Sequence, residues 1–306
     1  MKSEFCVGAN DNERLSDPAK LASSRLNSGV RDKTTTAMIP SLIKAARAFT
    51  GPLVFRKKLP KDFGRERIYV TSRSDIRLLA PGLQRSAGDL FLVVRNYVIP
   101  ESVVWDIGSN LGILTFCSAM KVGTEGEVYS LEADPHYADL QSRTLRGFSS
   151  TAGKVSILCA AIADQAGILD LAISKKGHAR NHLNIIGGSL VGDTDMTKQV
   201  VTLTLDWLLE YWSPPNFIKL DVEGAEKLAI EGGKSLFSEV RPTGYIECSP
   251  ENADSLTKFF TDLDYALYTL GPTGEEKPTN RFAFNTIIKP KEREQGGAGN
   301  GDKHRA

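Results

Sequence analysis

The sequence predicts an α/β protein: a doubly wound, seven-stranded, mostly parallel sheet with an antiparallel edge hairpin. Three observations predict it. An apolar run, Val103-Val104-Trp105, ends on Asp106 and breaks into Gly108-Ser109-Asn110-Leu111-Gly112 before a helical stretch opens at Ile113. Strand-like and helix-like patterns then alternate, as crossover units of a parallel sheet require. Finally, Phe217 to Val222 has the look of a central strand yet carries Lys219 and Asp221. A strand covered on both faces should be apolar throughout.

The chain of 306 residues has room for one sizeable core and a tail at each end. Residues 1–36 are polar, without periodicity, and expected to be a disordered tail. Residues 37–85 are expected to form an N-terminal extension or edge cover. It would hold a short helix from Met38 to Phe49 and strand-like pieces at Leu53 to Phe55 and Arg67 to Val70. The main domain, 86–289, opens with a helix from Asp89 to Val98, stopped by Pro100. Strand Val103 to Ile107 leads to helix Ile113 to Val122, and strand Glu127 to Leu131 to helix Pro135 to Arg146. A third strand spans Val155 to Leu158. Ile168 to Ile173 reads as a strand entering a polar loop, Ser174 to Thr197, with His178 and His182; Val200 to Leu203 and a helix from Leu205 to Tyr211 follow. After the central strand come a helix from Ala225, a strand from Thr243 to Cys248 and a helix with Ala253, Leu256, Phe259, Phe260 and Leu263 at helical spacing. Ser249 and Pro250 are placed as its cap and first position. Ala266 to Leu270 and Arg281 to Ile288 close the sheet as an antiparallel hairpin. Residues 290–306, charged and Gly-rich, are expected to be a disordered tail.

Composition excludes several classes. Net charge is +1, so no strong field draws the chain to nucleic acid or a membrane. Four scattered cysteines argue against a zinc site or a disulfide framework. No apolar run is long enough to span a bilayer and no signal peptide is visible, so the expected location is cytoplasmic.

Two rival readings of the first turn fail on spelling: neither the dinucleotide fingerprint nor a P-loop is present. Gly108 and Gly112 let the backbone turn and approach a ligand without a Cβ in the way. With no pyrophosphate to cradle, Asp106 can receive a cation such as an amino acid ammonium. Glu132 ends the second strand, where an acid reaches the ribose hydroxyls of an adenosine ligand; the other reading is a helix-start acid, a role that suits Asp134 better. After the third strand, small residues through Ala163 leave room for an adenine ring, and Asp164 can accept from its amino group or be a plain loop acid. Lys219, Asp221 and Glu223 alternate onto one side of an extended strand. Buried charge is costly, so they either line a cleft or form a Lys219–Asp221 ion pair with Glu223 as a helix-start acid.

The Asp106 to Gly112 segment resembles motif I of class I methyltransferases, and the FkbM-type family in particular. The family's clearest mark, Ile-Lys-x-Asp-x-Glu-Gly-x-Glu, is matched from Ile218 to Glu226. Thr202 to Leu208, Gly232-Gly233, Arg241-Pro242 and Glu247 fit as well, and the resemblance runs from about Asp89 to Pro290. Ser109 departs from the family's more usual Ala, and the 174–197 loop cannot be aligned with it. The resemblance implies that 86–289 is a methyltransferase domain. It would use S-adenosyl-L-methionine, held by Asp106, Gly108, Asn110, Gly112, Glu132, Ala133, Ala163 and Asp164. The implied acceptor is a hydroxyl on a sugar or secondary metabolite, with Asp221 or Glu223 as base or acceptor anchor and Lys219 fixing their charge. Other readings stand beside it. Ser213-Pro214-Pro215-Asn216 falls before the fourth strand and is read as a proline turn; His182 could serve as a base or be a solvated loop residue. Asp221, Glu223, Glu226 and Glu247 could gather a divalent cation, although the family suggests none and Lys219 argues against it. A non-catalytic nucleoside-binding module and a nicotinamide oxidoreductase are the readings from other classes.

Overall fold

The structure, a computed structural model, describes residues 53–174, 182–184 and 194–292. The tail 1–36, the helix expected at Met38 to Phe49, His178 and the end of the chain lie outside the described residues.

The first described elements are strands β1 (Val54–Lys58) and β2 (Arg67–Thr71), paired as an antiparallel hairpin. Ile68 and Val70 point inward and are fully buried, packing with Phe63, with Phe91 and Val94 of helix α1 (Gln84–Tyr97), and with Leu114 and Phe116 of helix α2 (Ile113–Val122). The hairpin thus covers helices on one face of the fold, rather than a sheet edge. Helix α1 starts earlier than its pattern implied, across a non-helical Ala87 (φ −145°). Helix α2 is apolar nearly all round because it lies under the hairpin; a helix of that kind is buried on every side.

The alternation of the sequence becomes β3 (Val103–Ile107), α2, β4 (Glu127–Glu132), α3 (Pro135–Leu145) and β5 (Lys154–Cys159). Asp134 caps α3, its side chain accepting from His136 N, with Pro135 next. The chain then leaves the main sheet. Strands β6 (Ala161–Ile162), β7 (Gly167–Ser174), β8 (His182–Asn184) and β9 (Thr194–Leu203) form a separate four-stranded sheet in the order β6-β9-β7-β8. Part of the segment expected as a polar loop is therefore strand: β9 needs its first residues to pair along β7. Helix α4 (Leu205–Leu208), capped by Thr204, leads to β10 (Phe217–Leu220), α5 (Glu226–Glu231), β11 (Thr243–Glu247), α6 (Ala253–Asp262), β12 (Tyr265–Leu270), β13 (Glu276–Thr279) and β14 (Asn285–Pro290). Asn252, and not Ser249, takes the cap position of α6; Ser249 instead donates to Glu226 Oε2 at 2.9 Å.

Among the described residues the main sheet has eight strands, in the order β13-β12-β14-β11-β10-β3-β4-β5. The five from β11 to β5 are parallel, and β14 runs antiparallel between β11 and β12. The extra strand β13 edges the seven expected. The order reverses between β3 and β10, which is where an open α/β sheet leaves a crevice beyond its carboxyl ends. On the face opposite α2, Trp105, Ile107, Ile218 and Ile246 pack against Ala229, Leu256 and Phe260. Each such side chain contributes roughly 1.5–3 kcal/mol by leaving water.

Candidate active site

At that crevice lies a narrow cleft, in the position where an open α/β sheet receives small ligands. Gly108, Asn110, Glu132 and Ala133 form one end. Leu131, Ala160, Ile162 and Leu171 supply an apolar slot, and Asp221, Val222 and Glu223 form the other end.

The turn after β3 is fixed by contacts that glycine alone permits. A Cβ on Gly108 would stand 1.7 Å from the carbonyl oxygen of Asp221, and its φ is +73°. Gly108 N and Ser109 N both donate to Leu131 O, which ties the turn to β4. Asn110, also left-handed at φ 52°, donates its N–H to Glu132 Oε2 at 2.7 Å. Glu132 Oε1 accepts from Asp134 N at 2.8 Å, so this carboxyl clamps two backbone segments while it lines the cleft. Burial raises its pKa to about 7, against those two N–H donors. Ser109, where the family more often has Ala, belongs to a buried network. Its hydroxyl donates to Leu131 O and accepts from Gln141 Nε2 at 2.8 Å, and Gln141 Oε1 accepts from Ser130 at 2.6 Å.

Beneath the cleft, Lys219 joins the two halves of the sheet. It is the in-register neighbour of Asp106 across β10 and β3. Its ammonium donates to Gly108 O at 2.7 Å and Asp221 Oδ2 at 3.0 Å, and stands 3.7 Å from Asp106 Oδ1. Burial alone would lower the Lys219 pKa, but Asp221 and Asp106 outweigh it and hold it raised. Asp106 is fully buried, accepts from Thr115 at 2.6 Å, and is pushed up by desolvation against the pull of Lys219. The cation Asp106 meets is thus the chain's own Lys219, and its carboxylate does not line the cleft.

Beyond β10, Asp221, Glu223 and Glu247 place carboxylate oxygens within 4.8 Å of one another. Glu247 follows Ile246, the register partner of Leu220, so it comes to rest beside Asp221. Strand alternation accounts for Lys219 and Asp221 but not for Glu223. The strand ends at Leu220, and Glu223 is turned into the cluster by a left-handed backbone (φ 51°). Burial first, then Asp221 and Glu247, raise the Glu223 pKa to about 9. Glu247 is raised to about 7 by burial and by Asp221. Asp221 Oδ1 is buried without a hydrogen-bond partner. Glu226, by contrast, is a brace: it accepts from Gly224 N at 2.7 Å and from Ser249 and Asn252 at 2.9 Å.

Of the residues singled out from sequence, Gly108, Asn110, Glu132, Ala133, Asp221 and Glu223 line the cleft together. Gly112 packs behind the turn against Phe116 and Gln141. Ala163 and Asp164 are not among its lining residues. Ala163 N is hydrogen-bonded to Leu203 O, and Asp164 is exposed. Ala160 and Ala161 take the place expected of them, because the chain turns away into β6 one residue after β5. Tyr137 and Leu171 also line the cleft and were not foreseen. The Gly232-Gly233 and Thr-Leu-Asp segments do structural work. Asp206 accepts from Ser235 N and Leu236 N, and a Cβ on Gly232 would meet Ala163 O at 2.4 Å.

This strand order, with a glycine turn after its first central strand and an acid after the next, defines a class I methyltransferase. A family profile described as "Methyltransferase FkbM domain" matches residues 106–267, just over half of the chain. The chain belongs to that family, whose methyl donor is S-adenosylmethionine. Among solved structures, it is similar to an FkbM methyltransferase from Methylobacillus flagellatus KT, at 17% identity and a TM-score of 0.39, over 61% of this chain and 43% of that one. It thus spans less than half the length of that protein. A SAM-dependent O-methyltransferase from Thermotoga maritima matches at 14% identity and a TM-score of 0.37, over 66% of this chain and 63% of that one. Aeropyrum pernix fibrillarin, solved with natively bound S-adenosyl-L-methionine, matches at 10% identity and 0.37, over 63% and 67%. A search of curated proteins finds no significant match.

Proposed function

We propose that the protein methylates a hydroxyl oxygen of a small molecule, a sugar or secondary metabolite, in the cytoplasm. The observation that carries this reading is that one cleft joins Glu132 at one end to Asp221 and Glu223 at the other. The cleft suits the family's cofactor. Its apolar slot offers non-polar walls to an adenine ring, and Glu132 offers a carboxylate to ribose hydroxyls. S-adenosylmethionine, when bound, supplies an already activated methyl group.

What remains for the chain is alignment and the removal of one proton. Alignment contributes up to ~7–11 kcal/mol and a positioned base ~10²–10⁴-fold. Asp221 Oδ1 is the acceptor for that proton, with Oδ2 anchored on Lys219. Glu223, still protonated near neutral pH, donates a hydrogen bond that orients the incoming hydroxyl. Glu247, with a pKa of about 7 beside Asp221, is the relay to solvent. Side chains of this kind favour a compact polar acceptor. With a net charge of +1, nucleic acid is not the expected substrate.

The test is incubation with isotope-labelled S-adenosylmethionine and fractionated sugars and metabolites, followed by mass spectrometry for a gain of one methyl group. Transfer lost in Asp221→Asn supports the reading. Tight cofactor binding with no transfer to any hydroxyl fraction would instead favour a nucleoside-binding module. A reaction abolished by chelation and restored by Mg²⁺ would turn the carboxylate cluster into a metal site.

A further inference from the structure

A second cleft, of about 550 Å³, lies between the N-terminal hairpin and the carboxyl end of α3. Five arginines line it: Arg56 from β1, Arg65 and Arg67 from the turn and β2, and Arg143 and Arg146 from the end of α3. Glu66 is the one acid among its lining residues. Four arginines elsewhere have a carboxylate each, Arg77 with Asp75, Arg95 with Asp62, Arg241 with Glu292 and Arg281 with Asp254. Among the described residues, none of the five in the cleft is ion-paired.

The hairpin register concentrates this charge. Arg56 pairs with Tyr69 and Lys58 with Arg67, which sets all four on the face opposite the buried Ile68 and Val70. Like charges directly across a ladder disfavour the sheet, so the Lys58–Arg67 pair does not serve the hairpin. Arg143 lies over the Tyr69 ring at 4.5 Å and Arg56 at 5.5 Å. Stacking of this kind fixes a guanidinium while leaving its N–H fork to meet an anion. The helix dipole explains cations at the end of α3, but not three more delivered by a different element.

We propose that this cleft binds a small, multiply phosphorylated molecule, with adjacent phosphates gripped by guanidiniums from the hairpin and from α3. Arginine forks match phosphate oxygens two at a time, and several guanidiniums in one concavity call for more than one negative charge. A membrane headgroup is disfavoured because no large aliphatic side chain lines the cleft. Nucleic acid is disfavoured because Tyr69, the one aromatic there, has its ring covered by arginines rather than open to a base. The site is separate from the cofactor cleft. The two lie at opposite ends of α3, which spans about 16 Å at 1.5 Å per residue.

The experiment is calorimetric titration of the full chain with inorganic pyrophosphate at low salt. One site is expected, weakened at least ~10-fold by Arg67→Ala and by Arg143→Ala, since each removes a charge-assisted bond pair. Arg143→Lys, which keeps the charge and the fold but loses the fork, should weaken it measurably too. Arg281→Ala is the charge control and should change nothing, and S-adenosylmethionine affinity should be the same in all four. The proposal is overturned by no pyrophosphate binding, or by an equal loss in Arg281→Ala. It is also overturned if single-stranded RNA or phosphatidylserine vesicles bind through these arginines and pyrophosphate does not compete.

Discussion

Replacing Glu223 by glutamine isolates one consequence of crowding three carboxyls beyond β10. Burial, Asp221 and Glu247 raise the Glu223 pKa from 4.5 to about 9. In the unfolded chain the group ionises near its ordinary value; in the folded protein it keeps its proton across the neutral range. The folded state therefore binds more protons than the unfolded one, and stability falls as pH rises. The contribution is fully present below about pH 4.5 and is lost progressively up to about pH 9. Each pH unit in that window costs ~1.4 kcal/mol, so between pH 5.5 and pH 8 the wild type loses about 3 kcal/mol through this one group. Glutamine has the same shape and cannot ionise. Urea unfolding of both proteins at several pH values should give curves that meet below about pH 4.5, with a gap that widens by about 3 kcal/mol between pH 5.5 and pH 8, the variant being the more stable. Glu132 and Glu247, each raised to about 7, add a slope of the same sign below neutrality. They do so in both proteins and cancel in the difference. Parallel curves would refute the reasoning, because they would mean that Glu223 ionises as freely when folded as when unfolded.

Four further outcomes are expected. Gly108→Ala, which drives a methyl group into Asp221 O and strains a left-handed residue, should cost about 3 kcal/mol or more in a chemical melt and abolish cofactor binding. Glu132→Gln leaves two backbone N–H groups facing one acceptor, so cofactor affinity measured by calorimetry should fall at least ~10-fold. Lys219→Met strands the buried Asp106 carboxylate and should cost ~3–5 kcal/mol of stability, part of it recovered on adding Asp106→Asn. Asp221→Asn should cut turnover at least ~100-fold with cofactor affinity unchanged, and full activity in a stable variant would remove Asp221 as base.

Much of this was legible because it is local. The limits of α2 follow from a glycine turn before Ile113 and Gly123 after Val122, and the body of α6 from apolar spacing, although its start lies at Ala253 and not at Pro250. Asp134 announces its own helix by standing before Pro135. What could not be read depends on register between distant segments. Asp106 and Lys219 meet because β10 is laid beside β3 in one alignment out of several, and nothing near either residue encodes it. The same holds for Glu247, whose place beside Asp221 follows from the β10–β11 register. Sequence alone does not decide between Ala160 and Ala163, because all four residues from Ala160 to Ala163 are small or apolar. The choice turns on where β6 leaves the sheet to pair with β9. The left-handed φ of Glu223 has no sequence signal of its own: Gly224, also at positive φ (96°), marks the bend but does not show that it begins one residue earlier.

Lys219 explains why acids on two separate strands must be read together. The crevice of a doubly wound sheet opens where strand order reverses, and here that junction is β3 against β10. One ammonium holds the carbonyl of Gly108 in the turn after β3 and the carboxylate of Asp221 at the other end of the cleft, with Asp106 balancing its charge. A buried ion pair is weak evidence for stability, because hydrophobic side chains of the same volume often do as well. Its value here is positional. The backbone carbonyl could be satisfied by any donor, and Asp221 could pair with any cation. Only a group reaching both sets the distance between the turn proposed to receive a cofactor and the carboxylate proposed to receive a proton. Lys219→Arg, which keeps the charge but is longer and planar, should therefore spare most stability while lowering turnover more than cofactor affinity. Equal loss of both would show that Lys219 serves the fold alone.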